Sequence, residues 1–404
     1  MRSRPEDLWQ DVIGGGDTAR GPEPAQGQGA AALVAPAPGK AKTRRRQPEG
    51  GSVAVAIVGA TGYAGGELVR LLHRHANVEI VGLAGRARDH EPIDVAHPHL
   101  ALSGYTVDSE VPEADAVFLA LPHGASSRLV PGLAARGATI IDLGPDFRLR
   151  DPTDYPRWYG FEHPAPELLA RSVYGLPELH RDQLVALRDR APAIVGSPGC
   201  YPTASLLAIA PLARAGLIAD LVVDAKSGVS GAGRDAKPEY TYSEVNESLR
   251  AYGLGGHRHV AEIEQELLAL TDDAARAGDG RDAPTAAPVD FLPHLVPMTR
   301  GILATAYVRP RRVVDQAELD ELYRATYAGE PFVQVVSAPP STKHVLGSNL
   351  CRVYAHADRR TGRIVAIGVI DNLVKGAAGQ AIQAFNLVHG LPEDAGLEQL
   401  PLAP

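Results

Sequence analysis

At 404 residues, 45% of them apolar and 22% charged, the chain has room for two folded lobes and the composition of an ordinary globular protein. A formal net charge of −8 argues against a nucleic-acid-binding surface, and no uninterrupted apolar run reaches the ~20 residues of a membrane-spanning helix. The two cysteines, Cys200 and Cys351, make no disulfide framework, which points to a reducing cytoplasm.

Residues 1–51 read as a disordered extension or an early start codon. They hold a glycine triplet, an Ala/Pro/Gly/Gln-rich run and the basic spot Arg44-Arg45-Arg46, too little apolar surface to offset ordering entropy. Ala30 to Ala35 is too short and too far in for a signal peptide. Order begins at Val53. Val53 to Val58 is a buried-strand pattern that ends in Gly59-Ala60-Thr61-Gly62-Tyr63-Ala64-Gly65-Gly66, and Glu67 to His73 then reads as a helix. Strand, glycine turn and helix form the first unit of a dinucleotide-binding fold, with G-x-x-G-x-x-G spacing in place of the commoner G-x-G-x-x-G. The alternative is a tight turn without a ligand.

The next strand, Val78 to Leu83, ends in Ala84-Gly85-Arg86-Ala87-Arg88. Arginine there, with no acid before Asp89, fits a ribose 2′-phosphate and favours NADP over NAD, against a merely solvated arginine pair. Ala114 to Leu121 and Thr139 to Leu143 are further apolar strands. The first runs into Pro122-His123-Gly124, a loop on the edge where open parallel sheets bind ligands. Strands alternating with helices up to residue 200 predict a doubly wound sheet.

At the centre of the chain lies Gly196-Ser197-Pro198-Gly199-Cys200-Tyr201-Pro202-Thr203, followed by the apolar Ala204 to Ala210. Pro202 suits a first helical turn, so Cys200 is expected at a helix N-terminus, where unpaired N–H groups ease thiol ionisation and favour a nucleophile. A buried structural thiol is the competing reading. Beyond Thr203, strand-like Val222 to Ala225, Ile302 to Val308, Phe332 to Val336 and Ile364 to Val369 have fewer helices between them, which predicts a largely antiparallel sheet. In His257-Arg258-His259-Val260-Ala261-Glu262-Ile263-Glu264 a helix begins near Arg258 with Glu262 on the side of His259. A first-turn histidine is held neutral by the helix dipole and suits a general base, although it could instead cap the helix, or pair with His257 on zinc, for which no third ligand is evident. Thr271 to Pro288 reads as a mobile surface insertion, and Leu373 to Val388 as one helix whose Gly376 and Gly379 allow close approach to the cofactor lobe.

The fold class expected is α/β: a disordered 1–51, a Rossmann-type dinucleotide-binding domain over 52–199, an α+β catalytic domain over 200–371 and a returning helix in 372–404. Four motifs, at 59–68, Leu-Pro-His-Gly 121–124, 196–203 and 257–263, together resemble N-acetyl-γ-glutamyl-phosphate reductases. The resemblance spans roughly 53–390 and implies NADPH-dependent reduction of an acyl phosphate through a cysteine thioester, in a homodimer or homotetramer. It implies Cys200 as nucleophile and His259 as acid/base, with His257 the second choice. Gly59, Thr61, Gly62, Tyr63, Ala64 and Gly65 match the phosphate loop, and Asn372 and Gly376 the nicotinamide side. Pro122 and His123 join the cofactor site, while Lys226 or Arg234 would hold the substrate's phosphate or carboxylate. Reductases of carrier-linked aminoadipyl phosphate or aspartyl phosphate remain open, as does a non-catalytic NADP-binding module.

Overall fold

The computed structural model describes residues 51–277 and 288–403. The expected N-terminal extension lies outside them but for Gly51, as does most of the 271–288 insertion. The remainder of that insertion, residues 271–277, is not loop but the end of a helix.

The first half of the chain builds an eight-stranded sheet from β1 (Val53–Val58), β2 (Val78–Ala84), β3 (Glu91–Pro92), β4 (Thr106–Asp108), β5 (Ala116–Leu119), β6 (Thr139–Asp142), β7 (Val173–Tyr174) and β8 (Ile194–Gly196). Their order is β3-β4-β2-β1-β5-β6-β8-β7, parallel except for β3 with β4. β1, β5, β6 and β8 are almost wholly buried because both faces are covered, and all but β6, which carries Thr139 and Asp142, are apolar. The order reverses at β1, which pairs β2 on one side and β5 on the other. A crevice outside the strand ends opens at such a point. The helices here include α1 (Tyr63–Leu72), α2 (Ser126–Ala134) and α3 (Pro177–Val185). α1 starts four residues before the apolar periodicity does, because the tight glycine turn already places Tyr63 in helical conformation.

The second half forms a seven-stranded sheet of β9 (Ile218–Ser227), β10 (Arg250–Ala251), β11 (Val289–Leu295), β12 (Ile302–Pro310), β13 (Val333–Val335), β14 (Cys351–Asp358) and β15 (Arg363–Ile370), ordered β10-β11-β9-β12-β15-β14-β13. Its central β9–β12–β15–β14 pairs are antiparallel, and β11–β9 and β13–β14 are parallel, giving the largely antiparallel sheet expected. β9 is longer than its apolar run because it alternates, with Leu221, Val223 and Ala225 in the core and Asp224 and Lys226 on the other face. α4 (Cys200–Arg214) is buried from Tyr201 to Ala213 and apolar all round, as a helix between other elements must be. Gly368 of β15 lets it approach so closely that a β-carbon there would sit 2.2 Å from Ala204 O. α5 (His259–Ala277) and α6 (Gln316–Thr326) pack on the same side, since Ile263, Leu267, Leu319 and Tyr323 share the α4 core.

The C-terminal segment departs from the single helix expected. Val374–Ala378 is a π turn, and α7 (Gly379–His389) follows it. Gly376 N–H donates to Asp371 O and Ala378 N–H to Leu373 O, each five residues back. The wider turn seats Gly376 against Cys200, where a β-carbon would lie 2.8 Å from Cys200 Cβ. α7 then packs Ala381, Ile382 and Phe385 among Val55, Ile57 and Phe118 of the first sheet.

Candidate active site

The C-terminal edge of the first sheet carries the glycine turn after β1, the 121–127 loop after β5, the 143–148 loop after β6 and the cysteine turn after β8. Gly59 has φ +85°, and a β-carbon on it would stand 2.3 Å from Ala120 O, so only glycine fits. A β-carbon on Gly65 would meet Gly59 O at 2.2 Å, which holds α1 tight against the turn. Gly62, by contrast, faces open space beyond Gly59 O. The N–H groups of Tyr63 and Ala64 at the start of α1 find no acceptor among the described residues. A close turn, an open glycine and a free helix N-terminus fit a dinucleotide pyrophosphate. Gly85 at the end of β2 packs on the Thr61 side chain, and the exposed Arg86 follows it. Asp89, the acid that could have argued for NAD, accepts from Ser109 N–H at 2.9 Å.

Cys200 is the first residue of α4, with Gly199 as N-cap. The expected ease of ionisation is corrected here. Burial pushes the thiol up to about 11, and the charge of Arg148 and the N–H groups of Tyr201 and Cys200 only partly offset it. The helix N-terminus is outweighed by desolvation, so the resting sulfur carries its proton and needs a base.

An imidazole stands beside the residue that precedes it. A β-carbon on Gly199 would sit 2.5 Å from His259 Nε2 and 2.8 Å from its Cδ2, so the imidazole abuts the residue preceding the cysteine. Burial first, then the charges of His257, Arg148 and Arg258, hold His259 well below the usual histidine range. The cause is thus desolvation more than the dipole. His257 takes the capping role: its Nδ1 accepts from His259 N–H at 3.2 Å, and its ring packs edge-on to Tyr201, Tyr252 and Phe291.

A buried ion pair that the spacing did not single out braces both. Glu262 accepts from Gly199 N–H at 2.9 Å, Tyr174 OH at 3.0 Å and Arg148 Nη1 at 3.0 Å, and its Oε1 lies 3.9 Å from His259 Nε2. Arg148 also donates to Ser197 O and Leu143 O, both at 2.7 Å. The loops after β6 and β8, the end of β7 and the start of α5 therefore meet on one carboxylate and one guanidinium. The signal available was Asp-Phe-Arg directly after β6, on the ligand edge of the sheet.

The other expected site residues scatter. Lys226 alternates on β9 with the residues that face the core and pairs with Asp224 at 2.6 Å. Arg234 lies over the glycine turn instead, donating to Thr61 O at 3.0 Å. Asn372 is engaged at both amide ends, accepting from Gly301 N–H at 2.7 Å and donating to Ser230 Oγ at 2.9 Å, and so braces the site from below. Gly376 touches Cys200. His123 and Pro122 are exposed, and Arg258 Nη1 donates to His123 Nδ1 at 3.3 Å, which stands an exposed guanidinium at the mouth beside His259.

Two family models match this chain: the semialdehyde dehydrogenase NAD-binding domain over residues 54–187 and the semialdehyde dehydrogenase dimerisation domain over residues 200–372. The N-acetyl-gamma-glutamyl-phosphate reductase of Heliobacterium modesticaldum is 49% identical over 87% of this chain and 100% of its own. That of Symbiobacterium thermophilum is 49% identical over 86% of this chain and 97% of its own. Among solved structures, a probable aspartate-semialdehyde dehydrogenase from Pseudomonas aeruginosa aligns with TM-score 0.60 at 20% identity, covering 83% of this chain and 98% of that one. An aspartate semialdehyde dehydrogenase with NADP from Candida albicans aligns with TM-score 0.59 at 16% identity, covering 85% and 99%.

Proposed function

The chain belongs to the N-acetyl-γ-glutamyl-phosphate reductases of the semialdehyde dehydrogenase family, and on that premise we propose how its residues reduce N-acetyl-L-glutamyl 5-phosphate to the 5-semialdehyde and inorganic phosphate. The observation that carries the mechanism is an imidazole lying against the residue that precedes a half-buried thiol, with burial favouring the uncharged form of each.

His259 takes the Cys200 proton as the sulfur attacks the acyl carbon. The C–O bond to phosphate breaks, phosphate leaves with the electron pair, and a thioester remains on Cys200. Gly59, Thr61, Gly62, Tyr63, Ala64, Gly65 and Arg86 would hold NADPH, which supplies the hydride when bound. At the end of the cycle the C–S bond breaks, the aldehyde carbonyl forms, and the imidazolium of His259 returns its proton to the sulfur. Cys200 and Tyr201 N–H groups lie at the attacking sulfur and suit a developing oxyanion, whereas Gly199 N–H is taken by Glu262. With Lys226 paired and Arg148 buried, Arg258 beside His123 is the guanidinium left at the mouth for the acyl phosphate.

Residues 52–199 and 200–371 serve as cofactor and catalytic domains in this reading, with 372–404 returning to the first. The second sheet's face opposite α4 to α6 bears Asp224, Lys226 and the exposed Tyr307 and suits pairing of two copies, as a dimer or within a tetramer, in the cytoplasm. The test is phosphate-dependent reduction of NADP by N-acetylglutamate semialdehyde, before and after thiol alkylation. Alkylation and Cys200→Ser should each leave less than about a tenth of the rate, because a serine oxygen is a far poorer nucleophile. A serine variant above that level argues against a covalent intermediate, and preference for aspartate semialdehyde would move the chain to another substrate.

A further inference from the structure

The segment after β9 is rigidly seated. Gly228, Val229 and Ser230 donate their N–H groups to Gly301 O, Met298 O and Thr299 O at 2.9, 2.9 and 3.1 Å, and Asn372 donates to Ser230 Oγ. Gly233, at φ +87°, turns the chain outward, and Arg234 crosses to the other lobe. Its Nη1 donates to Thr61 O at 3.0 Å, and its guanidinium carbon lies 5.9 Å from the Tyr63 ring centroid. Nε and Nη2 have no acceptor, and no carboxylate pairs with this side chain among the described residues. A cation thus stands uncompensated beside the positive end of α1, where Tyr63 and Ala64 present free N–H groups. Two positive features converge on one spot without an acid between them, which is the arrangement a phosphate diester would satisfy.

We propose that Arg234 binds the dinucleotide's pyrophosphate, closing the glycine turn from the catalytic lobe, and that it does not hold the substrate. The proposal rests on the NADP reading above. Its position separates it from Arg86, an exposed residue just after β2, where a dinucleotide-binding fold places the adenosine ribose.

The experiment titrates NADPH and NADH, followed by their fluorescence, into wild type, Arg234→Ala and Arg86→Ala without substrate. Arg234→Ala should weaken both dinucleotides by about the same factor, about 10-fold or more, as befits loss of a charge-assisted bond to a group they share. Because the side chain is exposed at a loop, the melting temperature should stay within about 2 °C. Protection of Cys200 from iodoacetamide by inorganic phosphate should not change. Arg86→Ala should weaken NADPH alone. Unchanged dinucleotide binding with lost phosphate protection would make Arg234 a substrate residue and overturn the proposal, and so would a loss confined to NADPH. Wild type that binds neither dinucleotide would overturn the cofactor reading itself, and this proposal with it.

Discussion

At the scale of single residues, the proposed mechanism turns on two buried groups, a thiol and an imidazole, whose surroundings both favour the uncharged form. Cys200 is raised to about 11 by burial, and His259 is lowered by burial and by the positive charges around it. Each shift favours the uncharged form and so works against a resting thiolate–imidazolium pair. Iodoacetamide labelling of Cys200 in the free enzyme should therefore keep climbing between pH 7 and 10, roughly tenfold per pH step, with no plateau near neutrality. A plateau near pH 7 would reveal a preformed ion pair and contradict this geometry. Arg258 belongs to the same scale. Among the described residues it hydrogen-bonds to His123 alone, so Arg258→Gln should raise KM for the acyl phosphate about 10-fold while NADPH binding is untouched. Equal weakening of NADPH would place it in the cofactor site. The placement of Cys200 and His259 was legible because each sits inside a short motif whose local structure, a helix start, is fixed by its neighbours. The fates of Lys226 and Arg234 were not, because a strand's outward face and a loop's reach depend on what packs against them.

At the scale of elements, the loops after β6 and β8 and the start of α5 are tied by Arg148 and Glu262. Breaking a buried pair leaves a bare charge and costs about 3–5 kcal/mol. Glu262→Gln keeps the acceptor for Gly199 N–H but removes the charge facing Arg148. Stability should fall by that order in a denaturant titration. Glu262 raises the Cys200 thiol and Arg148 lowers it, so the same variant should label faster with iodoacetamide at pH 8 while turning over more slowly. Slower labelling would mean that Glu262 acts on Cys200 through position alone. The strands show why extents were harder to read than existence. β1 matched its apolar run because both its faces are buried, whereas β9 outran Val222 to Ala225 because one face carries Asp224 and Lys226. The π turn was invisible for another reason. Nothing local in Leu373 to Ala378 demands it; the contact of Gly376 with Cys200 does.

At the scale of the whole molecule, the two sheets are joined through the chain's return after β15, and the joint is polar. Lys375, wholly buried, donates to Glu178 of α3 and to Gln383 of α7, both at 2.6 Å. Burial alone would raise the Glu178 carboxyl, but the charge and hydrogen bond of Lys375 outweigh it and hold it below the usual range. A carboxylate depressed in this way adds stability that is present above the ordinary glutamate value of 4.5 and is lost as pH falls through its lower folded value. Lys375→Met should strip that contribution at neutral pH by leaving Glu178 unpaired, at a cost of about 3–5 kcal/mol. The double variant Lys375→Met with Glu178→Gln should recover much of the loss, since no bare charge then remains. If the two substitutions instead add, the pair does not interact as the 2.6 Å contact requires. Activity supplies the second readout. Lys375 neighbours Gly376, so a double variant that regains stability but not turnover would show that this joint also sets where Cys200 sits.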